Sequence, residues 1–134
     1  MPEVLALLSR TVGLDCWSLV HRTISQAGFT ANVFRGVPNP NPPGSSNSVI
    51  WEMKKDLARC RVLIFVAQTE NDLHNPDEWF DEALTLLARQ SPRAAFFQYC
   101  FASHSQNPSV RVAGSPEALA AAIAADLGSV PLAG

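Results

Sequence analysis

At 134 residues the chain has the length of one domain, long enough to bury about two thirds of its unfolded surface. With 47% apolar and 16% charged residues it is not an intrinsically disordered sequence, and a net charge of −2 gives no broad basic face for nucleic acid or an anionic membrane. Cys16, Cys60 and Cys100 are odd in number and widely spaced, which reads as buried reduced thiols of a cytoplasmic protein; no Cys/His cluster has zinc-ligand spacing, and neither a metal nor a cofactor is expected. No signal-peptide pattern opens the chain, and no apolar run nears the roughly 18 residues of a membrane span.

Val4 to Leu8 (VLALL) predicts a buried first strand whose carboxyl end runs into Ser9, Arg10 and Thr11. From Asp15 the period changes. Cys16, Leu19, Val20, Ile24 and Ala27 share one helical face, with Asp15 as candidate N-cap and Gly28 closing the helix. Phe29 to Phe34 (FTANVF) predicts a second strand, less apolar and so nearer a sheet edge. Gly36 to Asn47 (GVPNPNPPGSSN) holds four prolines and two glycines and forms no regular element. It is a long loop at the carboxyl end of the second strand, expected to be mobile in the isolated domain; such loops are commonly functional or disordered. Ile50, Met53, Leu57 and Cys60 mark the inner face of a second helix, capped by Asn47 or Ser48.

Val62 to Ala67 (VLIFVA) is apolar at every position, which places it mid-sheet and covered on both sides. Gln68 to Asn75 then form a polar loop just past that strand's carboxyl end, and Glu70, Asp72, Asp77, Glu78, Asp81 and Glu82 crowd this rim. In open α/β sheets ligands bind there. Asn75 as N-cap and Pro76 at the first helical position predict a third helix with Glu78 at its third position, a placement that by itself accounts for Glu78 as a helix-end carboxylate. Phe80, Ala83, Leu84 and Leu87 form the inner face of that helix, widened by Trp79 and Leu86. Ala94 to Phe101 and Ser109 to Ala113 predict a fourth and a fifth strand. Ser115-Pro116-Glu117 opens a last helix with the face Leu119, Ala122, Ile123 and Leu127, stopped by Gly128, and the tail beyond is expected to be loose. The whole predicts one α/β domain over residues 1–134, a flavodoxin-like three-layer sandwich on a five-stranded parallel sheet of order 2-1-3-4-5.

Three segments resemble a TIR (Toll/interleukin-1 receptor) domain. LARCRVLIFVA, residues 57–67, is similar to the family's helix end, arginine and buried strand; the proline-rich loop ending in Gly44-Ser45-Ser46 stands where the family carries its BB loop; and EWFDEAL, residues 78–84, is similar to its tryptophan–glutamate–leucine signature. The first strand with its Ser9-Arg10 ending also fits. The resemblance implies cleavage of the nicotinamide–ribose bond of NAD, with NAD as substrate rather than cofactor, and activation by self-association through the Gly36 to Asn47 loop.

Such cleavage passes through an oxocarbenium-like centre that one carboxylate can stabilise. The resemblance gives that role to Glu82, with Glu78 as the alternative. Ser9 and Arg10 are candidates to hold ribose or phosphate, and Trp79 to stack on a ring; their plainer readings are a solvated turn and buried packing. Two other functions fit the same sequence: a TIR-like interaction module without turnover, its prolines forming a stiff recognition surface, and an N-glycosidase like the nucleoside deoxyribosyltransferases. No glycine-rich phosphate cradle follows the first strand, which argues against a conventional dehydrogenase or NTPase.

Overall fold

The run Val62–Ala67 is buried at every residue and lies in the middle of the sheet. In the computed structural model, residues 3–36, 48–90 and 94–130 are described, without the side chains of residues 48–50. The elements are β1 (Val4–Leu8), α1 (Leu14–Gln26), β2 (Ala31–Arg35), α2 (Ser48–Arg59), β3 (Val62–Ala67), a 3-10 turn (Asn71–His74), α3 (Phe80–Gln90), β4 (Ala95–Cys100), β5 (Val110–Val112) and α4 (Pro116–Gly128). All pairings are parallel and the order is β2-β1-β3-β4-β5, as the sequence predicts.

Side chains alternate across a strand, so β1 and β3 supply two cores. Val4, Ala6, Leu8, Val62, Ile64 and Val66 pack with Val20 and Ile24 of α1 and Leu119 and Ile123 of α4. Leu5, Leu7, Leu63 and Phe65 pack with Met53 and Leu57 of α2 and Phe80, Ala83 and Leu87 of α3. The chain thus leaves β1 toward one face and β3 toward the other. Two adjacent strands whose exits diverge leave a crevice at their carboxyl ends. β2 is an edge strand of intermediate burial, held by Trp17 Nε1–H donating to Val33 O at 3.1 Å and by Asn32 Nδ2 donating to Asp56 Oδ2 at 2.6 Å.

Several boundaries differ from expectation. Gly13, in extended conformation, is the N-cap of α1, and Asp15 sits in the first turn, where the helix amino end favours its charge. Gly28, at φ +90°, ends that helix as expected. β2 starts at Ala31 rather than Phe29, because Phe29 folds back into the core with its N–H on Ile24 O. α3 starts at Phe80 rather than Pro76. Ser115 caps α4, its Oγ accepting from Ala118 N–H at 3.1 Å. Val130 is buried in the first core, so the chain past α4 is packed at least that far. The caps proposed for α2, the inner position of Ile50, the residues 37–47 whose mobility was expected, and the tail from 131 lie outside the described residues.

One buried polar tie fastens α4 to the sheet. Tyr99 donates its hydroxyl to Asp126, whose other carboxylate oxygen pairs with Arg111 of β5. Tyr99 and Asp126 are both buried, and burial together with the Asp126 carboxylate pushes the phenol far above its ordinary range. Tyr99→Phe leaves a buried carboxylate oxygen without its donor and should cost about 1–3 kcal/mol. Urea unfolding of the variant checks this; an unchanged midpoint would show that the hydroxyl contributes nothing.

Candidate functional site

The site is built on the turn that follows β1. Ser9 N–H donates to Val66 O at 2.8 Å, prolonging the pairing with β3, and Val12 N–H donates to Ser9 O at 3.0 Å, closing the turn. Ser9 is buried; its Oγ lies 2.7 Å from Thr11 Oγ1 and accepts Thr11 N–H at 3.2 Å. Arg35, at the end of β2, donates to Val12 O and, at 2.7 Å, to Arg10 O. Gly36 follows with φ +76° and its N–H on Leu8 O. A Cβ on Gly36 would lie 2.7 Å from Arg10 Cγ. The glycine therefore serves both a left-handed backbone and the close passage of the Arg10 stem.

Glu78 meets this turn from the other side. Its Oε1 accepts Arg10 N–H at 2.7 Å, and Arg10 Nε stands 3.4 Å from the same oxygen. The Glu78 side chain is 1% exposed and that of Arg10 57%, so a half-exposed guanidinium arm covers a buried carboxylate. Oε2 of Glu78 is buried and has no hydrogen-bond partner among the described residues. Burial raises the Glu78 pKa above the ordinary glutamate value; the Arg10 N–H and charge oppose that, and Asp72 adds to it. Asp72 itself accepts Thr69 N–H at 3.2 Å and Thr11 Oγ1–H at 3.3 Å, tying the 3-10 turn to the turn after β1.

This placement overturns the reading of Glu78 as a helix-end carboxylate. Asn75 does not start a helix: its Oδ1 accepts Asp77 N–H at 2.9 Å and its carbonyl accepts Glu78 N–H at 3.0 Å. The local turn swings Glu78 inward, and Trp79 O becomes the first acceptor of α3, from Ala83 N–H. Trp79 is 1% exposed, within the second core. The stacking role expected for it is therefore corrected: the indole is buried as packing, with Nε1–H donating to Glu82 Oε2 at 2.8 Å. Glu82 lies half-buried in the first turn of α3, oriented by that bond. The structure thus brings Ser9, Arg10 and Glu78 together, while the bond described for Glu82 is to Trp79.

Asp72, one of the rim carboxylates, joins the site, and Arg35 and Gly36 join it without having been singled out for it, although a charged residue at a strand's carboxyl end was a usable signal. Glu70 belongs elsewhere on the rim. Its Oε2 accepts Ser105 Oγ–H at 2.6 Å and Gln106 N–H at 3.0 Å, and the Ser105 bond is the largest cause of its lowered pKa. Among the described residues, no group of three or more His, Cys, Asp or Glu could hold a metal ion, and no helix is long and apolar enough to cross a membrane.

The sequence matches no protein-family model and no curated protein. In structure the chain is similar to the crystal structure of the RPS4 and RRS1 TIR domain heterodimer, with a TM-score of 0.59, 94% of this chain and 96% of that chain covered, and 14% identity. The chain has the TIR fold. Its sheet order, and the divergence of the chain at the exits of β1 and β3, are those of a TIR-type α/β sandwich; at that identity the likeness carries the architecture alone.

Two outcomes follow from the turn. Gly36→Ala places a side chain in the left-handed region and against Arg10, and should lose about 1–2 kcal/mol by urea unfolding; an unchanged midpoint would mean that Arg10 moves aside without cost. The raised folded-state pKa of Glu78 means that its contribution to stability is present below the ordinary glutamate value and is lost as pH rises through the folded value. Wild type should therefore lose stability relative to Glu78→Gln on going from pH 4 to pH 7, and a constant difference across that range would contradict the shift.

Proposed function

We propose that this TIR-fold chain cleaves the nicotinamide–ribose bond of NAD, with Glu78 as the carboxylate at the reacting centre. One observation carries the reading: Glu78 is buried at the β1/β3 rim with Oε1 anchored by Arg10 N–H and Oε2 without a partner among the described residues. An unpaired buried carboxylate oxygen costs stability. It gains most from a positive charge that appears beside it, and the cleavage generates one at C1′ of the ribose. Stabilisation present at the transition state and absent before it accelerates the chemical step.

Arg10 gives access. Its half-exposed arm turns outward to a substrate phosphate, uncovering the carboxylate while its backbone N–H stays on Oε1. The C1′–N bond then breaks with its electron pair going to nicotinamide, which leaves as a neutral base. Water adds to C1′ and releases one proton to solvent. Ser9 and Thr11 supply hydroxyls at the same turn. Glu82, oriented by Trp79, is the alternative carboxylate.

A binding module that assembles without turnover is the second reading. The Arg10 cover over Glu78 favours it, as does the heterodimer in which the similar TIR domains were crystallised. In either reading, association of TIR-fold chains through residues 36–47 is part of the proposal.

Incubation with NAD at high protein concentration should release free nicotinamide, and Glu78→Gln should lower the rate by about two to three orders of magnitude. Glu82→Gln should retain more than about a tenth of it. The reverse pattern moves the carboxylate role to Glu82. Concentration-dependent assembly with no nicotinamide released decides for the module.

A further inference from the structure

A cleft opens at the same rim on the opposite face of the sheet, between the starts of α1 and α4. It measures about 430 Å³ and is lined among others by Gly13, Asp15, Cys16, Gln68, Phe101 and Gly114. Cys16 and Phe101 make its inner wall apolar: Cys16 is 4% exposed, and Phe101 packs half-buried against the first core. Burial, with Glu117 adding to it, raises the Cys16 pKa to about 11, so the wall carries no charge at neutral pH. Asp15 and Gln68 stand exposed at its edge.

The two glycines leave the cleft open. Neither Gly13 nor Gly114 has the positive φ found at Gly28 and Gly36, and a Cβ on either meets nothing within 4 Å. Backbone conformation does not require glycine at these positions, and neither does packing. Side chains there would stand in the open cleft.

We infer that this cleft takes the distal base of the dinucleotide, an aminopurine such as adenine, an inference that rests on the cleavage reading for Glu78. A purine offers apolar faces to the Phe101 wall and a donor–acceptor edge that a glutamine carboxamide matches. The Asp15 carboxylate accepts from the exocyclic amine and disfavours phosphate in the cleft, which leaves the pyrophosphate to Arg10. Gly13 is three residues from Arg10, at most roughly 10 Å along the chain. One dinucleotide can therefore lie across the turn, with its reacting ribose at Glu78 and its purine between Gly13 and Gly114. The substrate class is then a dinucleotide rather than a nucleoside.

The test is titration of the full chain with adenosine 5′-monophosphate, followed by amide NMR. Saturable shifts at Gly13, Gln68 and Gly114 are expected. Gly114→Leu, which fills the cleft, should weaken binding at least tenfold, and Gln68→Ala at least fivefold; the second variant keeps the test intact if the first does not fold. Absence of saturable shifts at these amides, or unchanged binding in folded variants, overturns the subsite. NAD cleavage with an unchanged KM in both variants also overturns it and leaves the Glu78 reading standing. Adenosine monophosphate shifts at the cleft without any NAD cleavage support the subsite and remove that reading instead.

Discussion

The burial of β3 on both faces is the constraint from which the rest follows. A strand with no polar position cannot lie at an edge, so β1 and β4 must flank it and helices must cover both sides. Right-handed crossovers then send the chain out of β1 toward one face and out of β3 toward the other. The loops at those exits set out toward opposite faces and meet at the rim, where Arg10 and Thr11 bond to Glu78 and Asp72. What fills the gap is a single turn, residues 9–12, fastened through Ser9 to β3, through Arg35 to β2 and through Arg10 to Glu78. The candidate site is the place where the fold must change direction.

Much of this architecture can be read from local sequence. The periods of two and of about 3.6 are set by one-residue geometry, and the two-sided burial of β3 is visible in six consecutive apolar letters. Ser115-Pro116 marks a real helix start because the hydroxyl and the ring act within three residues. The same logic misplaces the start of α3. Asn75-Pro76 carries the same kind of cap signal, yet the Asn75 side chain and carbonyl close a turn on Asp77 and Glu78 before any helix forms. Two local solutions compete there, and burial of Trp79 and Phe80 favours the turn.

That choice is also why the site was only half legible. Ser9 and Arg10 were readable as the polar end of a buried strand. The partner of Arg10 lies 68 positions away, and no spacing rule connects them. A glutamate three residues after an asparagine looks like a helix-end carboxylate until the turn rotates it into the sheet rim. Trp79 misleads in the opposite direction: an indole beside a dense carboxylate cluster suggests a ring platform, whereas its large apolar surface is worth more in the core once Glu82 has satisfied its N–H.

The pairing of Arg10 with Glu78 carries a tension that a purely structural role does not explain. A buried ion pair is a weak source of stability, because desolvation offsets most of the attraction unless every oxygen is satisfied. Here one oxygen is held by the Arg10 N–H and guanidinium, and the other has no partner among the described residues. A leucine or methionine at position 78 would fill the space without that cost. Glu78 makes sense where its second oxygen acquires a partner for part of the time; the cation beside it is the half-exposed Arg10, whose stem passes where a Cβ on Gly36 would stand. Under the proposed reading, a ligand phosphate would compete with Glu78 for the same guanidinium. Under the proposed cleavage, whatever drew Arg10 outward would expose a carboxylate with diminished compensation as a cation formed on the ligand.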